Sequence, residues 1–100
     1  MVAVLGTVAI GGVHVGATVL ARHRAQSAAD LAALAAARRG PSGEAAACRE
    51  AGVLAAAMHG RLQECSLEQL DAIVTVTVDV VGLVGARARA IARAGPGAPG

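Results

Sequence analysis

From Met1 to Ala21 the chain reads MVAVLGTVAIGGVHVGATVLA, twenty-one residues without a charge. As a helix rising about 1.5 Å per residue this run is roughly 31 Å long, the thickness of a bilayer's hydrocarbon core. Val and Gly are mediocre helix formers in water, but lipid forces backbone groups to pair within the segment, so a single-pass element is a helix. The run is read as a transmembrane helix over 1–21. The competing reading is a cleaved signal peptide ending at the small residues of VLA, against which stands the lack of a basic stretch before the apolar run.

The polar pattern then changes without a break in helix signals. ARHRAQSAADLAALAAARRG, Ala21 to Gly40, holds no Gly or Pro before position 40, and Ala and Leu are strong helix formers. Ala28, Leu31, Ala32, Leu34 and Ala35 form a weak apolar stripe, so a helical stem is expected over 22–39, projecting into water and stopped by Gly40, Pro41 and Gly43. Ser42 is placed to cap a second helix with Glu44 in its first turn. Ala47, Val53, Leu54, Ala57 and Met58 supply that helix's apolar face, and Gly60 its stop. Beyond it the period falls to two. IVTVTVDV puts Val74, Val76, Val78 and Val80 on one face and Ile73, Thr75, Thr77 and Asp79 on the other, a half-buried strand. A shorter strand over 61–67 precedes it across a turn at 68–71. ARARAIARA reads as a third strand with Arg87, Arg89, Ile91 and Arg93 opposite a face of alanines. A disordered tail is expected over 95–100. The fold class is α+β: a long N-terminal helix, a short second helix and a small antiparallel sheet of two or three strands, with a head over 44–94.

Composition sharpens this picture. Hydrophobic residues make up 55% of the chain, yet it has no Phe, Tyr or Trp, so Ala, Val and Leu must build any core. The net charge of +2 and three arginines without interleaved aromatics argue against a nucleic-acid partner. Ser27 and Ser66 have no spacing that suggests a nucleophile with its base, and no glycine-rich phosphate loop follows a strand. No catalytic residue and no cofactor are read from the chain.

RAQSAADLAALAAA after an apolar span, one Cys in an alanine-rich helix, a second after HGRLQE, an alternating Val/Thr strand and an ARARA ending together resemble the actinobacterial TadE-like proteins. These are relatives of the TadE and TadG pseudopilins of Flp (tight-adherence) pilus assembly. The resemblance implies a pilin-like structural subunit in the cell membrane, single-pass, with its C-terminal head outside the cytoplasm. It implies other pilus or secretion-system membrane proteins, the lipid bilayer and a homo-oligomer as partners. The chain departs from the family in having no Gly/Glu prepilin cleavage pair and no basic residues ahead of the span, so its natural start is expected to be misassigned or truncated. Arg22 and Arg24 follow the span, and by the positive-inside rule that end belongs in the cytoplasm. The family reading requires the opposite orientation and is preferred here.

Cys48 and Cys65 are candidates for a disulfide in an exported head; the alternative is two buried thiols, and a zinc site is disfavoured because His59 is the only histidine nearby. Gly12 and Gly16 form a small-xxx-small face for helix association, unless the spacing arises by chance in an Ala/Gly-rich span. His14 between them is a polar group in an apolar run. Asp30 has no basic residue three or four positions away, so it is expected to pair with Arg87, Arg89 or Arg93 of the head or of a neighbouring subunit, or else to keep the stem solvated. The preferred function is a pseudopilin-like subunit of a pilus or secretion apparatus. A membrane-tethered or secreted binding module and a holin-like pore former are the other readings.

Overall fold

The computed structural model describes residues 2–96, with side chains from residue 16 onward. Helix α1 spans Val2–Arg38, and a 3₁₀ turn over Gly40–Ser42 leads to α2, Glu44–Ala57. Strands β1 (Arg61–Glu68), β2 (Asp71–Asp79) and β3 (Arg87–Ala94) form one antiparallel sheet in the order β1-β2-β3. The expected α+β class is borne out, with the third strand present.

The β2 valines and the β3 alanines point to the same side, and both helices cover that side. Helix α1 lies over β2 and β3, while α2 lies beside α1 and over β1. Val74 and Val76 are fully buried, and Ala88, Ala90, Ala92 and Ala94 alternate with exposed neighbours along β3. Register pairs Val74 with Cys65 and Ala92, and Val76 with Leu62 and Ala90. A bulge between Leu62 and Glu64 absorbs one extra residue, Gln63.

The helix faces differ from the expected ones. Among the described residues the buried stripe of α1 is made of alanines alone: Ala21, Ala25, Ala28, Ala29, Ala32, Ala33 and Ala36. Leu31 and Leu34, placed by the sequence pattern in the apolar stripe, are 43% and 49% exposed. In α2 the buried positions are Ala47, Ala51 and Ala55, while Val53 and Ala57 are exposed. Hydropathy favoured the larger side chains, but a methyl-lined seam lets the backbones approach closely, and a leucine would hold them apart. The segment 22–39 is therefore not a stalk projecting away from the head; it is the helix that closes the head's core.

Both ends of α2 also correct the sequence reading. Its N-cap is Gly43, at φ 100, without a side-chain cap, and Ser42 belongs to the preceding 3₁₀ turn. At the C-terminus the Gly60 N–H donates to the Ala55 carbonyl (2.8 Å) and the His59 N–H to that of Ala56 (3.0 Å). This is a Schellman arrangement. The left-handed position falls on His59, at φ 61, and not on the glycine expected to stop the helix. Gly60 serves a different need: a Cβ there would meet Val76 Cγ1 at 2.9 Å and the Thr77 carbonyl at 3.2 Å. The side chain's absence lets the chain turn tightly onto the sheet.

On the outer face of the sheet Thr75 and Thr77 are buried rather than exposed. β2 is the central strand, and longer side chains from both neighbours arch over it. Gln63 Nε2 donates to Thr77 Oγ1 (3.1 Å), and Arg89 reaches Glu64 (3.8 Å) from the opposite strand.

Candidate functional site

The two cysteines meet. Cys48 in α2 and Cys65 in β1 form a disulfide with Cα atoms 5.7 Å apart. It ties the smaller helix to the edge strand on the flank that α1 does not cover. The Leu67 N–H donates to Glu44 Oε2 (3.0 Å), a second tie between the same two elements.

Asp30 does not meet the head arginines. It is exposed, and its Oδ1 accepts from Gln26 Nε2 (2.8 Å) one turn earlier. A neutral amide at i−4 supplied the local partner that a search for basic residues alone passes over. The three arginines are occupied within the sheet: Arg87 with Asp79 (3.8 Å), Arg89 with Glu64, and Arg93 with Asp71 and Glu68. The Arg93 pair is the tightest, with Nε and Nη2 both donating to Asp71 Oδ2 at 3.2 and 2.9 Å, and Asp71 is buried. A partly buried pair of this kind orders the end of the sheet beside the β1–β2 turn.

Gly16 is exposed, and a Cβ built on it would meet nothing within 4 Å. Gly12 and His14 lie outside the residues whose side chains are described. The span expected over 1–21 lies largely outside them too; among the described residues no helix is long and apolar enough to cross a membrane. Among the same residues no three His, Cys, Asp or Glu side chains gather as a metal site.

What the structure brings together instead is a line along α1. Gly16, Leu20, Ser27, Leu31, Leu34 and Arg38 are all exposed. Their separations of three, four and seven residues put them on one side of a helix, opposite the buried alanines. The signal was present in the sequence, where Leu31 and Leu34 share one apolar stripe with Ala28 and Ala32, but hydropathy alone does not tell an outward line from an inward one.

A second feature missed in the sequence is the β2–β3 connection. Val81, Leu83 and Val84 are exposed there. Gly82 and Gly85 take φ of 84 and 82, and the Leu83 and Ala86 N–H groups donate to the Val80 and Leu83 carbonyls at 3.2 and 3.1 Å. VVGLVG mixes a burial signal with a turn signal, and the turn prevails because only glycine takes these angles without strain.

The family of putative Flp pilus-assembly TadE/G-like proteins matches residues 1–39. The apoptosis inhibitor Rv3654c of Mycobacterium tuberculosis (strain ATCC 25618 / H37Rv) is 56% identical over 54 residues, covering 54% of this chain and 64% of that protein. The chain thus spans less than two thirds of the length of this curated relative. No solved structure matches. The TadE/G-like resemblance is borne out over residues 1–39, the stretch that forms the long helix and carries both the buried alanine seam and the exposed leucine line.

Proposed function

We propose that this chain is a membrane-anchored, pseudopilin-like structural subunit of a Tad/Flp-type pilus or secretion apparatus. Residues 1–21 form its single-pass anchor, residues 22–39 the stem helix built into the core, and residues 44–94 the rest of a small extracytoplasmic head. The observation that carries the reading is the exposed line Gly16–Leu20–Leu31–Leu34 along α1, on the side opposite its buried alanines. Leucine surface of this kind along a helix that already has a buried face on its other side is what helix-to-helix assembly uses. Gly12, one turn before Gly16, extends the same line into the anchor, where small residues allow close approach. The disulfide supports an oxidising location for the head.

The test is oxidative crosslinking of the full chain in membranes, using Gly16→Cys, Leu31→Cys or Leu34→Cys, with Arg49→Cys on α2 as control. Assembly through the line gives multimers at the first three positions and none at the control. Monomers throughout would leave a tethered binding module in its place. A reporter fused after Gly100 checks orientation: activity confined to the cytoplasm defeats the extracytoplasmic head.

A further inference from the structure

The head has two dissimilar ends. At one, the Gly40–Ser42 turn meets the β1–β2 turn, Gly40 lying against Leu70. At the other, α1 runs out past the sheet and the β2–β3 loop folds beside it, with Val81 and Asp79 sharing a cleft with Gly16, Ala17, Leu20 and Arg24. This second end is where the uncharged run of α1 finishes, Arg22 being the first charge in the chain. The loop therefore sits level with the boundary between the apolar half of the helix and its polar half.

Its chemistry suits that level. Val81 and Val84 are 71% and 107% exposed, and the two glycine turns hold them outward. Arg61 and Arg87 flank the loop's base and Arg24 stands on the adjoining helix, so three arginines surround one carboxylate, Asp79. The opposite end mixes Arg38, Arg39 and Arg93 with Glu44, Glu68 and Asp71 and presents no such excess. Apolar tips within a cationic ring match the headgroup–acyl boundary of an anionic bilayer, where apolar burial and attraction to lipid phosphates add.

We propose that the Val81–Val84 loop inserts into the surface of an anionic bilayer as a second membrane contact beside the helix, setting the tilt of the head. The inference rests on the reading of residues 1–21 as the anchor. Lipid is the favoured occupant because the helix leaves the head at this same end, so a bilayer that holds the helix meets the loop first.

The experiment uses the full chain, with its native disulfide oxidised, in vesicles of phosphatidylcholine with phosphatidylglycerol. Val84→Cys, Leu5→Cys and Gln69→Cys are each labelled with an environment-sensitive fluorophore and challenged with lipids carrying a nitroxide near the headgroup or deep in the chain. The expected result is preferential quenching of the Val84 probe by the shallow nitroxide, of the Leu5 probe by the deep one, and of the Gln69 probe by neither. Arg61→Gln with Arg87→Gln, or omission of phosphatidylglycerol, lowers quenching at Val84 and leaves that at Leu5 unchanged. An unquenched Val84 probe beside a quenched Leu5 probe overturns the loop contact and leaves the anchor standing. A blue-shifted but unquenched Val84 probe also overturns it, since the loop is then covered by protein. A quenched Val84 probe beside an unquenched Leu5 probe removes the anchor and keeps the loop contact, and failure at both positions removes both.

Discussion

Reduction of the Cys48–Cys65 bond is expected to free α2 while α1 stays on the sheet. The bond closes a separation of 17 residues, and the loop-entropy model assigns such a closure about 3 kcal/mol. The fully buried face of α2 is small. It is made of Ala47, Ala51 and Ala55, three methyl groups worth about 0.8 kcal/mol each and roughly 2.4 kcal/mol together. The Glu44–Leu67 hydrogen bond, at an exposed site, adds about 1 kcal/mol or less. The cross-link therefore contributes about as much as the burial of these three methyl groups. The assay is denaturant unfolding of the full chain in detergent, oxidised against Cys48→Ala/Cys65→Ala, with amide exchange followed residue by residue. The variant should lose about 3 kcal/mol. Protection should vanish in α2 and β1 while persisting at Val74 and Val76 of β2. A loss below about 1 kcal/mol, or α2 amides as well protected as those of β2, would refute the view that the alanine face needs the bond to secure this helix.

Three further outcomes follow from the geometry. Ala29→Leu forces a branched side chain into a seam that has room for methyl groups only, and is expected to cost about 1–3 kcal/mol in denaturant unfolding, whereas Leu31→Ala on the outer line should change stability little. His59→Gly relieves a left-handed residue at the end of α2 and should raise stability by about 1 kcal/mol, read as a higher denaturant midpoint with an unchanged slope. Asp71→Asn leaves the Arg93 guanidinium facing a neutral amide at the start of β2, with an expected loss of about 1–3 kcal/mol in denaturant unfolding that Asp30→Asn does not reproduce.

The same separation of causes explains what the sequence made legible. Periodicity located β2 and β3, because alternation in IVTVTVDV and RARAIARA is a property of the strand itself and holds wherever the sheet lies. The cysteines were legible as a pair for a similar reason: two thiols in a small exported domain have few other uses. The helix faces were not. In an alanine-rich helix every side carries similar hydropathy, so the inward side is chosen by how closely two backbones can approach, which is a property of the pair. Hence Leu31 and Leu34 turned outward and Ala29 and Ala33 inward. Asp30 found Gln26 rather than an arginine, since the head arginines already had carboxylates across the sheet.

The sequence by itself determined the element order, the valine face of β2, the alanine face of β3 and the helical run through Arg38. Only tertiary structure decided that the stem is the core helix, that the outer threonines of β2 are covered, and that the Val81–Val84 loop stands beside the exit of α1. Local patterns report one residue's preference for water or its absence. Which surfaces are left over depends on which others have already met, and that is settled when the chain closes on itself.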